Sequence, residues 1–193
     1  MRTRQWWVLA MAMAGTAAGC RVSESPPLPR AFSSAEAGDS VFLRASREAL
    51  SRMTQCTVTD VVDGDTIRCG NAGRVRLLLI DTPERDQEPW GARARGALLA
   101  MLPTGSTAWL ETDVQVRDRY GRTLAYVYRT DGLQVNELMV RSGFAEILVY
   151  PPNVRHVDVL RSAREAARDA RRGLWSTEAF ACSPRDHRAG RCP

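Results

Sequence analysis

The chain has 193 residues, which is enough for one domain with a hydrophobic core plus further segments and thin for two domains. Hydrophobic residues make up 44% of it and charged residues 25%, as in ordinary globular proteins, and two histidines are too few for a His-rich metal site. The formal net charge is +5, and all 27 basic residues are arginine.

An arginine-rich surface suits polyanions, because a guanidinium grips phosphate oxygens with two parallel hydrogen bonds. The lack of lysine has a simpler explanation in a GC-rich coding bias, which replaces lysine codons without functional pressure. The positive charge by itself is therefore only a modest indication of nucleic acid or an anionic membrane as the partner.

Residues 1–19 have the pattern of a secretory signal peptide, with a basic start, an apolar stretch from Trp6 to Ala14 and small residues at the end. The apolar stretch is too short to span a membrane as a mature helix. The ending resembles a bacterial lipoprotein signal, which would make Cys20 the lipidated first residue of the mature chain. The alternative is an ordinary cleaved signal with Cys20 left as an odd cysteine.

Residues 20–52 are predicted to form a flexible tether, because most of this stretch is rich in Ser, Pro and Ala without a sustained period. Spaced apolar residues within the range 41–53 indicate a short amphipathic helix at its end. Residues 53–178 are predicted to form the folded domain. A tail follows over residues 179–193, and His187 is expected in this loose segment.

Apolar periodicity and turn residues predict the secondary structure of the folded domain. Strands are predicted at residues 56–62, 66–69, 74–80, 107–111 and 122–129, with a further one at 144–149. Helices are predicted at residues 91–102, 133–141 and 153–172, with His156 on the surface of the last. Asp63-Gly64-Asp65 joins the first two strands, because Asp-Gly is a strong hairpin signal. This order predicts an α+β, mainly β fold, a five-stranded OB-fold Greek-key barrel with about three packed helices.

The stretch from Val75 to Arg85 is the centre of the predicted site. Its apolar run predicts a strand buried on both faces, and the run ends in Asp81-Thr82-Pro83-Glu84. Proline fixes the direction of the chain as it leaves the sheet, so Asp81 and Glu84 are expected just past the end of a rigid strand. Arg76 is a cation within the apolar run and needs a partner, either a carboxylate or a bound phosphate.

Four cysteines remain when Cys20 is set aside. An exported chain meets an oxidising compartment, so these four are expected to form disulfides. Three connectivities are possible, and proximity favours Cys56–Cys69 between the first two strands and Cys182–Cys192 in the tail. Metal binding by these cysteines is the weaker interpretation, because no Cys-x-x-Cys spacing occurs.

Acidic and arginine residues in four short pieces could converge: Asp65, Arg76, Asp81 with Glu84, and Arg119-Tyr120-Gly121-Arg122. Carboxylates without histidine or thiolate make a hard-oxygen site, which suits Ca²⁺ or Mg²⁺. A hard cation beside arginines is suited to attack on a phosphodiester, because both offset charge growing on the phosphoryl oxygens while a spare carboxylate orients or deprotonates water. The simpler interpretation of these pieces is a turn and a loop with a solvated charged face.

Five motifs in register indicate a known family. They are Asp63-Gly-Asp-Thr66, Arg76-Leu-Leu-Leu-Ile-Asp-Thr-Pro-Glu84, Asp118-Arg-Tyr-Gly-Arg-Thr-Leu-Ala-Tyr126, Val135-Asn-Glu137 and Gly173-Leu-Trp-Ser176. Together they closely resemble the staphylococcal nuclease (thermonuclease) family, over about Cys56 to Ser176. The resemblance implies an OB-fold and a secreted, Ca²⁺-dependent nuclease that acts on DNA and RNA.

The resemblance also implies the roles of the acidic residues. Asp65 and Asp81 match the carboxylates that bind Ca²⁺, and the backbone carbonyl of Thr82 matches a further ligand. Glu84 matches the carboxylate that activates the attacking water. Cleavage would break the bond on the 5′-oxygen side and leave 3′-phosphate ends.

Arginine and tyrosine residues are assigned from the same resemblance. Arg76 and Arg122 match the pair that grips the scissile phosphate, with Arg122 placed to stabilise the leaving oxygen. Tyr120 matches an aromatic residue that lines the nucleotide site, and Arg119 stands where the best-known member has lysine. Tyr150 is the one residue left of a tyrosine pair that contributes to substrate binding, since Leu148-Val149 precedes it.

The sequence therefore favours an exported Ca²⁺-dependent nuclease, monomeric and tethered to the cell envelope through Cys20 or secreted. A second hypothesis is a non-catalytic nucleic-acid-binding OB module at the cell envelope. The retained acids and arginines argue against this hypothesis. A third is an envelope lipoprotein with a structural role, for which only the amino terminus argues.

Overall fold

The computed structural model of the protein describes residues 42–192. The predicted signal peptide, the lipidation of Cys20 and most of the predicted tether lie outside the described residues and stay predictions. Within residues 42–192, no helix combines the length and the apolar character that crossing a membrane requires.

The described part of the chain contains seven strands and five α-helices. The strands are β1 (Thr54–Val61), β2 (Thr66–Cys69), β3 (Gly73–Leu77), β4 (Ile80–Asp81), β5 (Thr107–Glu111), β6 (Thr123–Arg129) and β7 (Glu146–Ile147). The helices are α1 (Arg47–Ser51), α2 (Trp90–Met101), α3 (Val135–Arg141), α4 (Val157–Asp169) and α5 (Pro184–Arg188), with a 3₁₀ helix at Gly173–Ser176 before α5.

Five strands close into a barrel in the order β1–β2–β3–β6–β5, and β5 pairs back onto β1. Neighbours are antiparallel except for β3 and β6, which run parallel with Val75 opposite Thr123 and Leu77 opposite Ala125. The closed five-stranded barrel with helices packed on it confirms the predicted α+β OB-type fold.

The buried side chain of Asn136 joins helix α3 to the barrel by hydrogen bonds. Its Nδ2 donates to the carbonyl oxygen of Leu78 (2.8 Å), and its Oδ1 accepts from the backbone N–H of Val127 (2.9 Å). Buried backbone groups need such partners, because an unpaired one loses its hydration without compensation. Tyr126 and Ile67 are fully buried in the same core.

The prediction of one strand over residues 74–80 is wrong, because the run divides in two. β3 ends at Leu77, and Leu79 adopts a left-handed conformation with φ of 63°. This conformation is rare for a residue with a side chain, and it interrupts the extended backbone. β4 then pairs with β7 in a separate two-stranded sheet, so the strand predicted at 144–149 is short and lies outside the barrel.

The predicted helices are present with different ends. α2 and α3 begin and end within two residues of the predicted positions. α4 is shorter than the predicted range of 153–172, because the chain before it turns and forms an isolated bridge between Tyr150 and Asn153. α1 confirms the short helix expected before the barrel.

The C-terminal tail is ordered, so the expectation of a loose segment around His187 is wrong. α5 begins after Ser183, whose Oγ accepts a hydrogen bond from the N–H of Asp186 (3.1 Å), and proline occupies the first helical turn. Serine at the N-cap followed by proline is a favourable helix start. The Nε2 of His187 lies 3.1 Å from the Oδ1 of Asp86, which joins the tail to the loop after β4.

Both predicted disulfides are present. Cys56 and Cys69 join β1 to β2 with 5.5 Å between their Cα atoms, and Cys182 and Cys192 bracket α5 with 5.7 Å between theirs. Cys182, Cys192 and His187 also lie close enough together to share a metal ion, but the disulfide consumes both thiols. The tail pair therefore constrains the chain around α5 as a cross-link.

His156 is partly buried, contrary to the prediction of a surface position. Its side chain is 17% exposed, and its Nε2 lies 2.9 Å from the Oε2 of Glu111. Glu111 also accepts from the Tyr128 hydroxyl and from Arg155, each at 2.7 Å. Burial alone would raise the pKa of Glu111, but the hydrogen bonds from His156, Tyr128 and Arg155 outweigh it and lower the pKa to about 2.

Replacing Glu111 with glutamine is expected to flatten the acid dependence of stability. The folded pKa of about 2 lies below the ordinary value of 4.5, so the ionised group stabilises the fold above pH 4.5 and loses that contribution as the pH falls towards 2. A shift of this size corresponds to about 3 kcal/mol in the free energy of unfolding. Urea unfolding at about pH 7 and about pH 3 measures the part of this contribution that is lost by pH 3, which is about 2 kcal/mol.

Glu165→Gln, exposed on α4, is the matched control for this experiment. Its free energy of unfolding should follow the parent protein at both pH values. Equal acid losses in the parent and Glu111→Gln proteins would show that the folded state does not lower the pKa of Glu111.

Candidate active site

The barrel brings three of the predicted residues together at the ends of neighbouring strands. Asp65 immediately precedes β2, and its carbonyl oxygen accepts from the N–H of Leu77 (2.8 Å) as β2 and β3 pair. Arg76 lies on β3, and Asp81 is the last residue of β4. Residues separate in sequence are therefore held by backbone pairing rather than by mobile loops.

A buried ion cluster connects these residues. The Nη2 of Arg76 lies 3.1 Å from the Oδ2 of Asp65 and 3.2 Å from the Oδ1 of Asp81. The three side chains are 14%, 10% and 3% exposed respectively, so they are largely removed from bulk water. The partner that Arg76 requires is thus a pair of carboxylates.

Thr82 supports Asp65 through its amide and its side chain. Its backbone N–H and its hydroxyl donate to the Oδ2 of Asp65, at 3.1 and 3.2 Å, and Thr66 donates its hydroxyl to the Oδ1 at 3.1 Å. Gly64 permits this approach, because a Cβ at that position would lie 2.6 Å from the Thr82 hydroxyl oxygen. Each oxygen of Asp65 is therefore fixed in direction before any ligand binds.

The cluster carries excess negative charge. Burial raises the pKa of Asp81, and this effect exceeds the opposing hydrogen bond from Arg188 and the charge of Arg76. Burial and the charge of Asp65 raise the pKa of Asp63 to about 6. Carboxylates that resist ionisation in a shared site are stabilised by a bound cation, and an all-oxygen donor set fits a hard ion such as Ca²⁺.

Glu84 lies at the edge of the cluster, and its side chain is 36% exposed. Its backbone N–H donates to the Oε1 of Gln87 (2.8 Å), and α2 begins a few residues later. Gly91 packs against this turn, since a Cβ there would lie 2.0 Å from the Glu84 carbonyl oxygen. The start of α2 therefore fixes the backbone of Glu84 and leaves its carboxylate accessible from solvent.

Arg188 of α5 reaches the same acids and is the site residue that sequence reasoning missed. Its Nη1 donates to the Oδ1 of Asp81 (3.0 Å) and its Nη2 to the Oδ2 of Asp81 (2.8 Å), while Nη1 also pairs with Glu84. No motif or periodicity points from the tail to these acids. The only local signals are the Ser-Pro helix start and the two cysteines around it.

The arginine loop before β6 forms its own cluster around Asp118. The Nε of Arg122 donates to the Oδ2 of Asp118 (2.6 Å), and the backbone N–H of Arg122 donates to its Oδ1 (2.9 Å). The exposed ring of Tyr120 lies beneath the guanidiniums of Arg119 and Arg122, 4.8 and 5.5 Å from its centroid. Among the described residues, the ion pair of Arg122 is with Asp118 rather than with the acids around Arg76.

The pairing of β3 with β6 nevertheless brings Arg122, the residue just before β6, one strand away from Arg76 on β3. Val75 and Arg76 lie opposite Thr123 and Leu124. Tyr150 is further out: it is 65% exposed and follows the short β7 strand. Among the described residues, the structure therefore joins Asp65, Asp81, Thr82 and Arg76 directly and links Glu84 to Asp81 through Arg188. It leaves Arg119, Tyr120, Arg122 and Tyr150 outside the hydrogen bonds and ion pairs of these acids.

Comparison with known proteins identifies the family. Residues 74–177 match the family model described as Staphylococcal nuclease homologue, which is more than half of the chain. The thermonuclease of Staphylococcus intermedius is 34% identical over 146 residues, which covers 72% of this chain and 84% of that protein. The chain belongs to the staphylococcal nuclease family.

Two relatives from Bacillus subtilis are longer proteins. The SPbeta prophage-derived endonuclease YokF is 36% identical over 138 residues, covering 66% of this chain and 46% of that protein. Endonuclease YncB is 34% identical over 139 residues, covering 67% of this chain and 65% of that protein. The matched region therefore spans between about half and two thirds of these two relatives.

Proposed function

We propose that the protein is a Ca²⁺-dependent nuclease that hydrolyses phosphodiester bonds in DNA and RNA and leaves 3′-phosphate ends. The observation that carries the proposal is the buried cluster in which Arg76 lies between Asp65 and Asp81, with Glu84 at its solvent edge. Family membership and relatives named endonuclease and thermonuclease support the same reaction class.

The carboxylates of Asp65 and Asp81 and the backbone carbonyl of Thr82 would hold Ca²⁺. Bound Ca²⁺ would supply positive charge that offsets the charge growing on the phosphoryl oxygens during hydrolysis. The hydrogen bonds from Thr82 and Thr66 orient the Asp65 carboxylate for this role. Preorganised oxygens matter, because a site that is already aligned loses little free energy to reorganisation at the moment of reaction.

Glu84 is proposed as the group that orients the attacking water and accepts its proton. Its partly exposed carboxylate stands between the buried acids and solvent, where water and a phosphate would approach in place of Arg188. Arg76 on β3 and Arg122 just before β6 would hold the scissile phosphate, with Arg122 next to the leaving 5′-oxygen. Asp118 fixes the Arg122 side chain through Nε and leaves its terminal nitrogens to donate to phosphate.

Substrate binding would use the exposed residues around the cluster. Tyr120, with Arg119 and Arg122 over its ring, and Tyr150 are both exposed and could contact nucleotides of a bound strand. Stacking on a base and pairing with phosphates do not use the 2′-hydroxyl that separates RNA from DNA, so such contacts would serve both substrates.

Export and attachment to the cell envelope through Cys20 are part of the proposal. They are supported by the signal-like pattern of residues 1–19 and by two disulfides, which form in oxidising compartments. Metabolic labelling with a radioactive fatty acid tests the anchor, since Cys20→Ser should abolish incorporation. Label retained in Cys20→Ser would assign the lipid elsewhere.

The decisive test incubates the purified protein with single-stranded DNA or RNA in millimolar Ca²⁺ and identifies the product ends. Ca²⁺-dependent cleavage to 3′-phosphates, abolished by EGTA, is expected. Binding of DNA without cleavage would favour the non-catalytic OB module instead. Cleavage that is unaffected by EGTA would contradict the assigned metal dependence.

A further inference from the structure

The guanidinium of Arg188 occupies both oxygens of a carboxylate that the proposed function assigns to Ca²⁺. Its Nη1 and Nη2 lie 3.0 and 2.8 Å from the two Oδ atoms of Asp81, a bidentate geometry, and its Nη1 pairs with Glu84 at the same time. Asp81 is 3% exposed, whereas Arg188 is 39% exposed. A partly exposed cation thus covers the two acids from the solvent side.

We call residues 182–192 the C-terminal clasp. Contacts within and around the clasp hold Arg188 in that position. The disulfide between Cys182 and Cys192 closes the clasp around α5. The carboxylate of Asp186 accepts a hydrogen bond from the side-chain Nε of Arg191 (2.9 Å), and its backbone carbonyl accepts one from the backbone N–H of Arg191 (2.9 Å). These two bonds fix the turn after α5. His187 contacts Asp86, two residues beyond Glu84, so the clasp also docks on the acidic loop.

Coordination decides whether Arg188 can stay when a divalent ion binds. Both carboxylate oxygens of Asp81 already accept hydrogen bonds from Arg188, so an ion bound at those oxygens would lie in contact with its guanidinium. The repulsion between two cations at contact distance favours the release of one of them. Arg188 is more exposed than Arg76, the other arginine on Asp81, so breaking its ion pair costs less free energy.

We propose that Arg188 is an intramolecular competitor of Ca²⁺ and that the C-terminal clasp is an autoinhibitory element. Ca²⁺ binding requires the Asp81 oxygens, so it displaces Arg188 and opens the acids and Glu84 to substrate. Conversely, the clasp lowers the affinity for Ca²⁺ and keeps the site closed at low Ca²⁺. The inference rests on the Ca²⁺ site of the proposed function.

Calorimetric titration with Ca²⁺ alone, without nucleic acid, tests the inference on the full-length protein. Arg188→Gln is expected to bind Ca²⁺ about tenfold more tightly than the parent, a coupling typical of two ligands that compete through one site. Arg185→Gln, exposed on the same helix, should leave the affinity unchanged. Equal or weaker Ca²⁺ affinity in Arg188→Gln would overturn the proposal.

A second variant keeps Arg188 and releases the clasp. Cys182→Ser with Cys192→Ser should also bind Ca²⁺ more tightly, by a smaller factor, because the arginine is present but no longer held in position. Affinity unchanged from the parent would overturn the clasp as the inhibitory element. Thermal unfolding without Ca²⁺ checks that each variant is folded before titration.

Hydrogen exchange supplies a readout that a purely structural Arg188 would not move. In the parent protein, saturating Ca²⁺ should increase amide exchange in α5 and the following turn, because competition is reciprocal. If Ca²⁺ binds and α5 is equally protected, the inhibitory role fails and the nuclease proposal stands. If neither the parent nor Arg188→Gln binds Ca²⁺, both proposals fail.

Discussion

Replacing Glu84 with glutamine is expected to lower kcat by about three orders of magnitude while the protein stays folded. The amide keeps the shape of the side chain but cannot accept a proton from water, and general-base catalysis contributes roughly 10²–10⁴ in rate. Glu84 is partly exposed and at the edge of the cluster, so its loss should change the free energy of unfolding little. Single-turnover cleavage of a labelled single-stranded DNA at saturating Ca²⁺ measures the effect.

Glu165→Gln serves as the control here too, because it removes an exposed carboxylate on α4 without touching the cluster. The amide at position 84 also removes one of the two acids that hold Arg188, so the Ca²⁺ affinity of Glu84→Gln has to be measured alongside the rate. If Glu84→Gln cleaved at the parent rate once Ca²⁺ was saturating, another group would have to be the base.

The barrel could be predicted because short sequence patterns identify its strands. The Asp63-Gly64-Asp65 turn fixes the β1–β2 hairpin, and β5 alternates between buried and half-buried residues along its whole length. The break at Leu79 could not be predicted, because the left-handed backbone conformation of one apolar residue does not change the hydrophobic pattern of the run. The parallel pairing of β3 with β6 could not be predicted from either segment alone, since the two segments are about fifty residues apart.

The acidic half of the site could also be predicted, and for a physical reason. A lone cation such as Arg76 in a buried strand requires anions nearby, and Asp65 and Asp81 are placed at strand ends where they can meet it. Arg188 is separated from Asp81 by 107 residues, and a short helix in a basic tail has no property that selects one acid over another. Only the folded structure could place it.

Arg76→Ala is expected to destabilise the Ca²⁺-free protein by about 3–5 kcal/mol, because it removes the guanidinium that two buried carboxylates share. Asp65 would lose the guanidinium that lies 3.1 Å from its Oδ2, and Asp81 would keep only Arg188. Saturating Ca²⁺ should restore much of the loss, since an ion that binds the folded state stabilises it by mass action. Urea unfolding with Ca²⁺ and with EGTA measures both values.

Arg74→Ala is the matched control, because Arg74 lies on the same face of β3 two residues away and is exposed. Its free energy of unfolding should stay within about 0.5 kcal/mol of the parent with or without Ca²⁺. Equal losses for Arg76→Ala in Ca²⁺ and in EGTA would mean that the ion does not reach Asp65 and Asp81. If Ca²⁺ restored the free energy of unfolding of Arg76→Ala but not its cleavage activity, the two roles of Arg76 would be separated. The ion can replace the charge of Arg76 beside the acids, but it cannot replace its hydrogen bonds to the phosphate.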